Sequence, residues 1–183
     1  MNQAWIDDVL GFWFGELTPK DWFTGSDEAD ERIRSRFLPV YEQLRKELPQ
    51  SALTEPRAAL AAIIVFDQFP RNIFRRKPEA FATDQMALQL SANAVEKGLD
   101  ADMTQQERQF LYMPYMHSEV LADQERAVML FSELGNEEAR KYAVEHSEIV
   151  ARFGRFPHRN KALGRESTQE ELEFLKEHAG YGQ

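Results

Sequence analysis

The stretch PRAALAAIIVFDQFPRN at residues 56–72 decides how this chain folds. Its residues 58–66 are all apolar, so a helix through them has no polar face and is predicted to be buried on every side. The stretch turns polar at Asp67, and Pro70 is expected to stop the helix. The sequence therefore predicts a core helix that ends in a buried carboxylate.

The helical spacing of apolar residues continues on both sides of this stretch, and no alternating strand pattern is found. Pro39 is expected to kink or split the helix that contains it. Short connections predict antiparallel helical hairpins, about eight or nine helices in an all-α fold. One domain over residues 1–183 is expected, with the last few residues as a frayed tail. Helices are predicted at about 4–14, 27–48, 56–67, 84–97, 105–113, 118–134, 137–153 and 169–175.

The charge and the cysteine content of the chain argue against several classes of function. The net charge is −9, which disfavours binding to nucleic acid or to an anionic membrane. The absence of cysteine removes thiol catalysis and cysteine-ligated metal sites, and it favours a cytoplasmic location. Asp7 and Asp8 interrupt the apolar start of the chain, so a secretory signal is not expected. No apolar run is long enough to cross a bilayer.

Two nearly identical phrases place arginine and asparagine where helices are expected to end. They are FDQFPRN at residues 66–72 and FGRFPHRN at residues 153–160. Arginine binds carboxylate or phosphate through two hydrogen bonds, so arginines that face one pocket predict a small anionic ligand. The alternative is that they clamp the chain's own carboxylates, Asp67 and Asp84 among them. The phrase residues predicted to bind the ligand are Arg71, Asn72, Arg155, Arg159 and Asn160.

Histidines occupy the inward faces of two predicted helices. His146 falls in an apolar stripe with Tyr142, and His117 shares a face with Leu121, while Glu119 lies on a flank where solvent is expected. A lone inward histidine is usually a core residue with one satisfied hydrogen bond, but two of them indicate a shared polar pocket. If the site is catalytic, the candidates for proton transfer are His117, His146, His158 and Asp67.

Asp67 has the strongest requirement for a partner. It ends the fully apolar helix, where the helix dipole disfavours an anion. A buried carboxylate without a partner would take up a proton, so a cation is expected close by, and Arg71, Arg75 and Arg108 are the candidates. The sequence leaves two alternatives open, a structural ion pair that fixes the turn and a functional group.

The segment ERQFLYMPYMH at residues 107–117 mixes ionisable groups with residues that belong in a core. Arg108 and Tyr112 are predicted to converge on the ligand with His117. The alternative is that they supply hydrogen bonds to backbone carbonyls freed at Pro114.

Known catalytic and cofactor motifs are missing from the sequence. There is no glycine-rich phosphate loop, serine-hydrolase elbow or zinc-protease motif. The Glu-x-x-His pairs of bundle di-iron sites are also missing, and a mixed site of Asp67 and histidines has no diagnostic spacing. No metal and no cofactor are therefore predicted, and whether the chain is an enzyme stays open.

Longer motifs around these residues resemble one bacterial family. They include FDQFPRNIFR at 66–75, ERQFLYMPYMHSE at 107–119 and RFGRFPHRN at 152–160, followed by LGRES at 163–167. Over nearly its whole length the chain resembles the uncharacterised bacterial family catalogued as domain of unknown function 924. The resemblance implies an all-helical protein of the tetratricopeptide-like superhelical class, and it implies no activity, cofactor or substrate.

Two functions therefore compete at this point, and a hydrolytic metal enzyme is a third alternative. In the first, an Arg- and His-lined pocket binds a small anionic ligand, with acid–base catalysis as an extension. In the second, the chain is a helical protein–protein interaction scaffold that binds a partner peptide, and its buried Arg/Asp/His network is purely structural. The oligomeric state is not predicted.

Overall fold

The computed structural model describes residues 3–178, except the side chain of Thr24, and this part of the chain contains no β-strand. The predicted frayed tail, the last few residues, falls at 179–183 and lies outside the described residues. The α-helices are α1 (Ala4–Gly11), α2 (Pro19–Thr24), α3 (Asp27–Lys46), α4 (Pro56–Asp67), α5 (Phe69–Ile73), α6 (Asp84–Glu96), α7 (Gln105–Met116), α8 (Leu121–Leu134), α9 (Glu137–Phe153), α10 (Asn160–Leu163) and α11 (Gln169–Glu177). A π-helical turn covers Phe12–Glu16, and 3-10 turns cover Gln50–Leu53, Pro78–Phe81 and Pro157–Arg159.

The all-helical prediction is confirmed, but the predicted number of helices is too low. Eight α-helices of the described chain have eight or more residues, and the short segments α2, α5 and α10 add to them. These three segments are not predicted from the sequence, because a helix of four to six residues is too short to show a helical period of apolar residues.

Helix α4 is the central helix that the sequence predicted. Every residue from Ala58 to Asp67 is buried, and α4 packs against α1, α3, α6 and α7. Pro56 occupies the first turn, where a missing N–H costs nothing. The helix ends at Asp67 as expected, and Pro70 lies in the first turn of the next helix, α5. The buried carboxylate is therefore placed at a junction between helices.

Pro39 does not split its helix, contrary to one of the two outcomes expected for it. Helix α3 continues through it as one element of 20 residues. The apolar face of α3 is buried on both sides of the proline, at Ile33 and Phe37 before it and at Tyr41 and Leu44 after it. Burial on both sides outweighs the loss of one backbone hydrogen bond.

Capping residues set several helix ends. Thr104 and Glu107 form a capping box at α7, and Asn136 accepts a hydrogen bond from the Ala139 N–H at the start of α9. Gly135 ends α8 in the left-handed conformation with φ 75°. Because only Gly135 and Asn136 connect α8 to α9, the two helices run antiparallel.

Consecutive helices pack on one another in the second half of the chain. Helix α6 packs against α7, α7 against α8, and α8 against α9. Most buried apolar residues form one core that runs from Trp5 to Ala143, and Ile149, Val150 and Phe156 form a small second cluster. Tyr142 was predicted to face inward, but its side chain is 48% exposed. Within residues 3–178 no helix is both long enough and apolar enough to cross a membrane.

Candidate functional site

A buried pair, Asp67 and His117, lies at the junction of α4 with the end of α7. Asp67 is completely buried, and His117 is nearly so. Nδ1 of His117 lies 2.8 Å from Oδ1 of Asp67, and the side-chain amide of Gln68 donates to the other carboxylate oxygen. Both oxygens of the buried carboxylate are therefore paired, as the cost of burying an anion requires.

Arg71 and Arg159, one from each phrase, meet at the carboxylate of Asp84. Arg71 donates to its two oxygens at 3.0 Å each, and its guanidinium also lies 3.5 Å from Oδ1 of Asp67. Arg159 donates to Oδ2 of Asp84 at 3.3 Å and to the backbone carbonyl of His117 at 2.9 Å. We call Asp67, Arg71, Asp84, His117 and Arg159 the polar centre.

Aromatic rings cover the two guanidinium groups of the polar centre. The guanidinium carbon of Arg159 lies 4.6 Å from the ring centre of Phe81 and 4.7 Å from that of Phe156. Arg71 lies 5.7 Å from the same Phe81 ring. Cation–π contacts of this kind stabilise a charge that has been removed from water. The arginines are therefore held at their edges by a carboxylate and at their faces by aromatic rings.

The charges of the polar centre balance one another. Burial acts to raise the pKa of Asp67, but the hydrogen bond from His117, the charge of Arg71 and the hydrogen bond from Gln68 outweigh it and lower the pKa to about 2. Burial lowers the pKa of His117 in spite of Asp67, and it lowers the pKa of Arg159 to about 10, so this arginine stays charged at neutral pH. Two carboxylates therefore face two guanidinium groups, and neutral His117 donates its Nδ1–H to Asp67.

His146 lies beside the polar centre as a second buried histidine. Its ring centre is 6.3 Å from that of His117 and 5.5 Å from that of Phe156. Its Nδ1 lies 2.7 Å from the carbonyl oxygen of Tyr142. Burial lowers the pKa of His146 to about 3, with His117 as a smaller contribution. The two histidines are thus close together and neutral at pH 7.

Comparison with known proteins places this chain in a family. The family model described as "Bacterial protein of unknown function (DUF924)" matches residues 9–179. The chain belongs to this family. A solved structure of a protein of unknown function from Agrobacterium tumefaciens is 35% identical to this DUF924 chain with a TM-score of 0.92, and covers 97% of this chain and 100% of that one. No curated protein matches the chain significantly. The resemblance read from the motifs is confirmed.

In this DUF924 chain, the asparagine of the first phrase lies outside the polar centre. Asn72 donates to Oδ1 of Asp30 at 2.8 Å. The same carboxylate accepts hydrogen bonds from Nε and Nη2 of Arg75 at 2.7 and 2.8 Å. The hydrogen bond with Asp30 raises the pKa of Arg75. Asn72 and Arg75 therefore share one carboxylate from α3.

The second phrase of the DUF924 chain repeats this pattern with a carboxylate from α11. Asn160 donates to Oε2 of Glu171 at 3.2 Å, and Arg155 donates to both oxygens of Glu171 at 2.7 and 2.9 Å. The hydrogen bond from Arg155 is the main reason that the pKa of Glu171 falls to about 2. In each phrase, then, an asparagine and a nearby arginine bind a single carboxylate of another helix.

Three further candidates also lie elsewhere. Nε of Arg108 donates to the carbonyl of Met103 at 3.1 Å. The hydroxyl of Tyr112 donates to Asp100, and burial together with this hydrogen bond raises the pKa of the tyrosine. His158 lies 3.1 Å from Nδ1 of His178. Of the candidate residues, the structure brings together Asp67, Arg71, His117, His146 and Arg159, and it places Asn72, Arg108, Tyr112, Arg155, His158 and Asn160 around other partners.

Sequence reasoning missed two of the carboxylates that hold the phrases, Asp30 and Glu119. Glu119 is half-buried rather than solvated, since it accepts hydrogen bonds from the Phe156 N–H and from both terminal nitrogens of Arg165. Asp30 is one of several acidic residues in the first turn of α3, where an exposed role is the usual one. Within the described residues, no group of three or more His, Asp or Glu is arranged to hold a metal ion.

Proposed function

We propose that this chain is a helical scaffold for protein–protein interaction and that its Arg/Asp/His network is structural. The observation that carries the proposal is the internal pairing of the arginines predicted to recognise an anion. Arg71 and Arg159 bind Asp84, and Arg155 binds Glu171. An anion from solution would have to displace these carboxylates or share the guanidinium groups with them, and either reduces what it gains by binding.

The finer arrangement proposed for the scaffold is a tetratricopeptide-like superhelical array. Its support is the succession of neighbouring helices from α6 to α9, each packed on the next. Arrays of this class stack helical hairpins and present extended surfaces to peptides and partner helices. The step from this arrangement to partner binding is an analogy at the level of the fold.

The hairpin of α8 and α9 offers the docking surface of the proposed scaffold. Met129 lies five residues before the end of α8 and Tyr142 five residues after the start of α9, so they lie at the same level of the antiparallel pair. Their exposed fractions are 53% and 48%. Exposed acidic residues lie one helical turn away on the same helices, Glu125 and Glu133 from Met129 and Glu138 from Tyr142. An amphipathic segment with basic flanks is the partner that fits this surface.

Photo-cross-linking tests this surface directly. With benzoylphenylalanine at Met129 or at Tyr142, we expect cross-links in cells to a protein that carries a basic amphipathic segment. Phe23 is the matched control, because it is also a large apolar side chain and is 53% exposed. Reversing the charge of Glu125 and Glu133 to lysine should weaken the cross-link by about tenfold, as expected for the loss of two complementary charges. The same adduct from position 23, or none from Met129 and Tyr142, would refute the proposed surface.

The Asp67–His117 pair favours a second candidate function, acid–base chemistry on a small anionic ligand. Asp67 holds Nδ1 of His117, and Nε2 makes no hydrogen bond within residues 3–178. An aspartate that orients a neutral histidine in this way leaves Nε2 as a proton acceptor. Thermal shift with carboxylates and phosphate monoesters tests the candidate, since a ligand of this site should raise Tm in the wild type and not in His117→Gln. An equal shift in both proteins would exclude a site at Nε2.

A further inference from the structure

A second polar region lies between the start of α3 and the loop that follows α5. It is a cleft of about 320 Å³, at the lower end of the range for small-molecule sites. It is distinct from the docking surface proposed on α8 and α9. The residues that line it are Asp27, Asp30, Glu31, Arg34, Asn72, Ile73, Arg75, Arg76 and Lys77.

One wall of the cleft is fixed by internal hydrogen bonds. Asp30 holds Asn72 and Arg75, as described above. Gly25 lies so close to Arg75 that an added Cβ would be 2.5 Å from Nη2 of that arginine. Arg34 donates to the backbone carbonyl of Ile73, which joins α3 to the end of α5. The wall is therefore rigid, and Asp30 is not available to a ligand.

Arg76 and Lys77 differ from the other cationic residues of the cleft. Both are exposed, and within the described part of the chain neither side chain has a hydrogen bond or an ion pair. Arg76 has φ 65°, and among the described residues it alone has a positive φ without being glycine. A side chain at such a φ strains the backbone, and strain of this kind persists mainly where a function retains it.

The charges of the cleft indicate which ligand it accepts. Asp30 binds Arg75 and Glu31 lies 3.9 Å from Arg34, so Arg76 and Lys77 face only Asp27 among the remaining charged residues that line the cleft, which leaves an excess of one positive charge. A phosphoryl group carries nearly two negative charges at neutral pH, and its oxygens match the two-pronged geometry of a guanidinium. We propose that the cleft binds the phosphoryl group of a small phosphorylated metabolite through the side chains of Arg76 and Lys77.

Calorimetric titration with inorganic phosphate and with O-phosphoserine tests the site, with serine and chloride at matched ionic strength as blanks. We expect saturable binding of both phosphates by the wild type. Arg76→Gly and Lys77→Gln should each weaken binding by about tenfold to a hundredfold, the usual effect of losing one charge-assisted contact. Lys46→Gln is the matched control, because it removes one exposed positive charge at the other end of α3 and should leave the affinity unchanged.

The Tm of Arg76→Gly separates the loss of a ligand contact from damage to the fold. Glycine adopts positive φ without strain, so the Tm of this variant should not fall while its affinity for phosphate does. An unchanged Tm together with weaker phosphate binding is expected if the strained backbone at Arg76 is retained for ligand binding. An absence of saturable phosphate binding by the wild type would overturn the proposal. Equal affinities in Arg76→Gly and the wild type, or an equal loss in Lys46→Gln, would do the same.

Discussion

Replacing Asp67 by Ala is expected to lower the free energy of unfolding by about 3–5 kcal/mol, the range observed when one partner of a buried charge pair is removed. The substitution leaves His117 without the acceptor of its Nδ1–H and removes one of the two anions that compensate Arg71. It also leaves the Gln68 amide without its acceptor. No water can easily replace the carboxylate, because Asp67 is completely buried.

Urea unfolding of four proteins measures this effect and identifies its cause. Asp67→Asn keeps an acceptor of similar shape but removes the charge, so its difference from Asp67→Ala separates charge from hydrogen bonding. Asp7→Asn is the exposed control, because Asp7 pairs with Arg57 while the two side chains are 79% and 62% exposed. That change should stay within about 0.5 kcal/mol. A loss of less than about 1 kcal/mol for Asp67→Ala would contradict a structural role for the polar centre.

Lowering the pH from 6.5 to 3 is expected to decrease the free energy of unfolding by roughly 3–5 kcal/mol, because His146 is neutral in the folded protein and protonated in the unfolded chain. Burial depresses the pKa of His146 from 6.5 to about 3 in the folded protein, whereas the unfolded chain binds its proton near pH 6.5. Between these values the unfolded state holds more protons, so stability is complete above pH 6.5 and falls as the pH decreases. Burial also lowers the pKa of His117, so this residue acts in the same direction.

Denaturant unfolding at pH 7.5, 6, 5 and 4 tests the role of His146, with His146→Gln as the comparison. Glutamine can still donate to the Tyr142 carbonyl but does not titrate, so the variant should show a shallower decrease below pH 6.5. The relevant readout is the slope with pH, because the substitution also changes packing and hence the stability at pH 7.5. The paired carboxylate of Asp67 contributes mainly below pH 4, since its pKa falls from 3.8 to about 2. Equal slopes for the two proteins would show that His146 is not the titrating group.

Features that depend on nearby residues were predictable from the sequence. The burial of α4 follows from residues 58–66 alone, and the capping boxes follow from residues three positions apart. The cation that Asp67 required was found four residues away, at Arg71, one turn along the chain. These inferences succeeded because the physical cause lies within one or two helical turns.

The partners that close the network over long distances were not all predictable. Asp30 binds Asn72 from 42 positions away, and Glu119 binds Arg165 from 46 positions away. Nothing near either carboxylate distinguishes it from a solvated acidic residue on a helix. The prediction that Asn72, Arg155 and Asn160 bind a ligand depends only on the similarity of the two phrases. In the structure, each of these side chains donates a hydrogen bond to a carboxylate of the same chain. Which carboxylate an arginine meets is decided by helix packing, which periodicity does not specify.

The sharing of Asp84 by Arg71 and Arg159 has a consequence for how the protein emerges from the ribosome. The two arginines are linked through a carboxylate that lies 13 positions after one and 75 positions before the other. A nascent chain that has not yet reached Arg159 holds α4 and its buried Asp67 without the last cation of the network. The backbone carbonyl of His117 also lacks its hydrogen-bond donor until this guanidinium is present. Stable folding should therefore be deferred until Arg159 has been synthesised, and products truncated before this residue should be poor at reaching the native state.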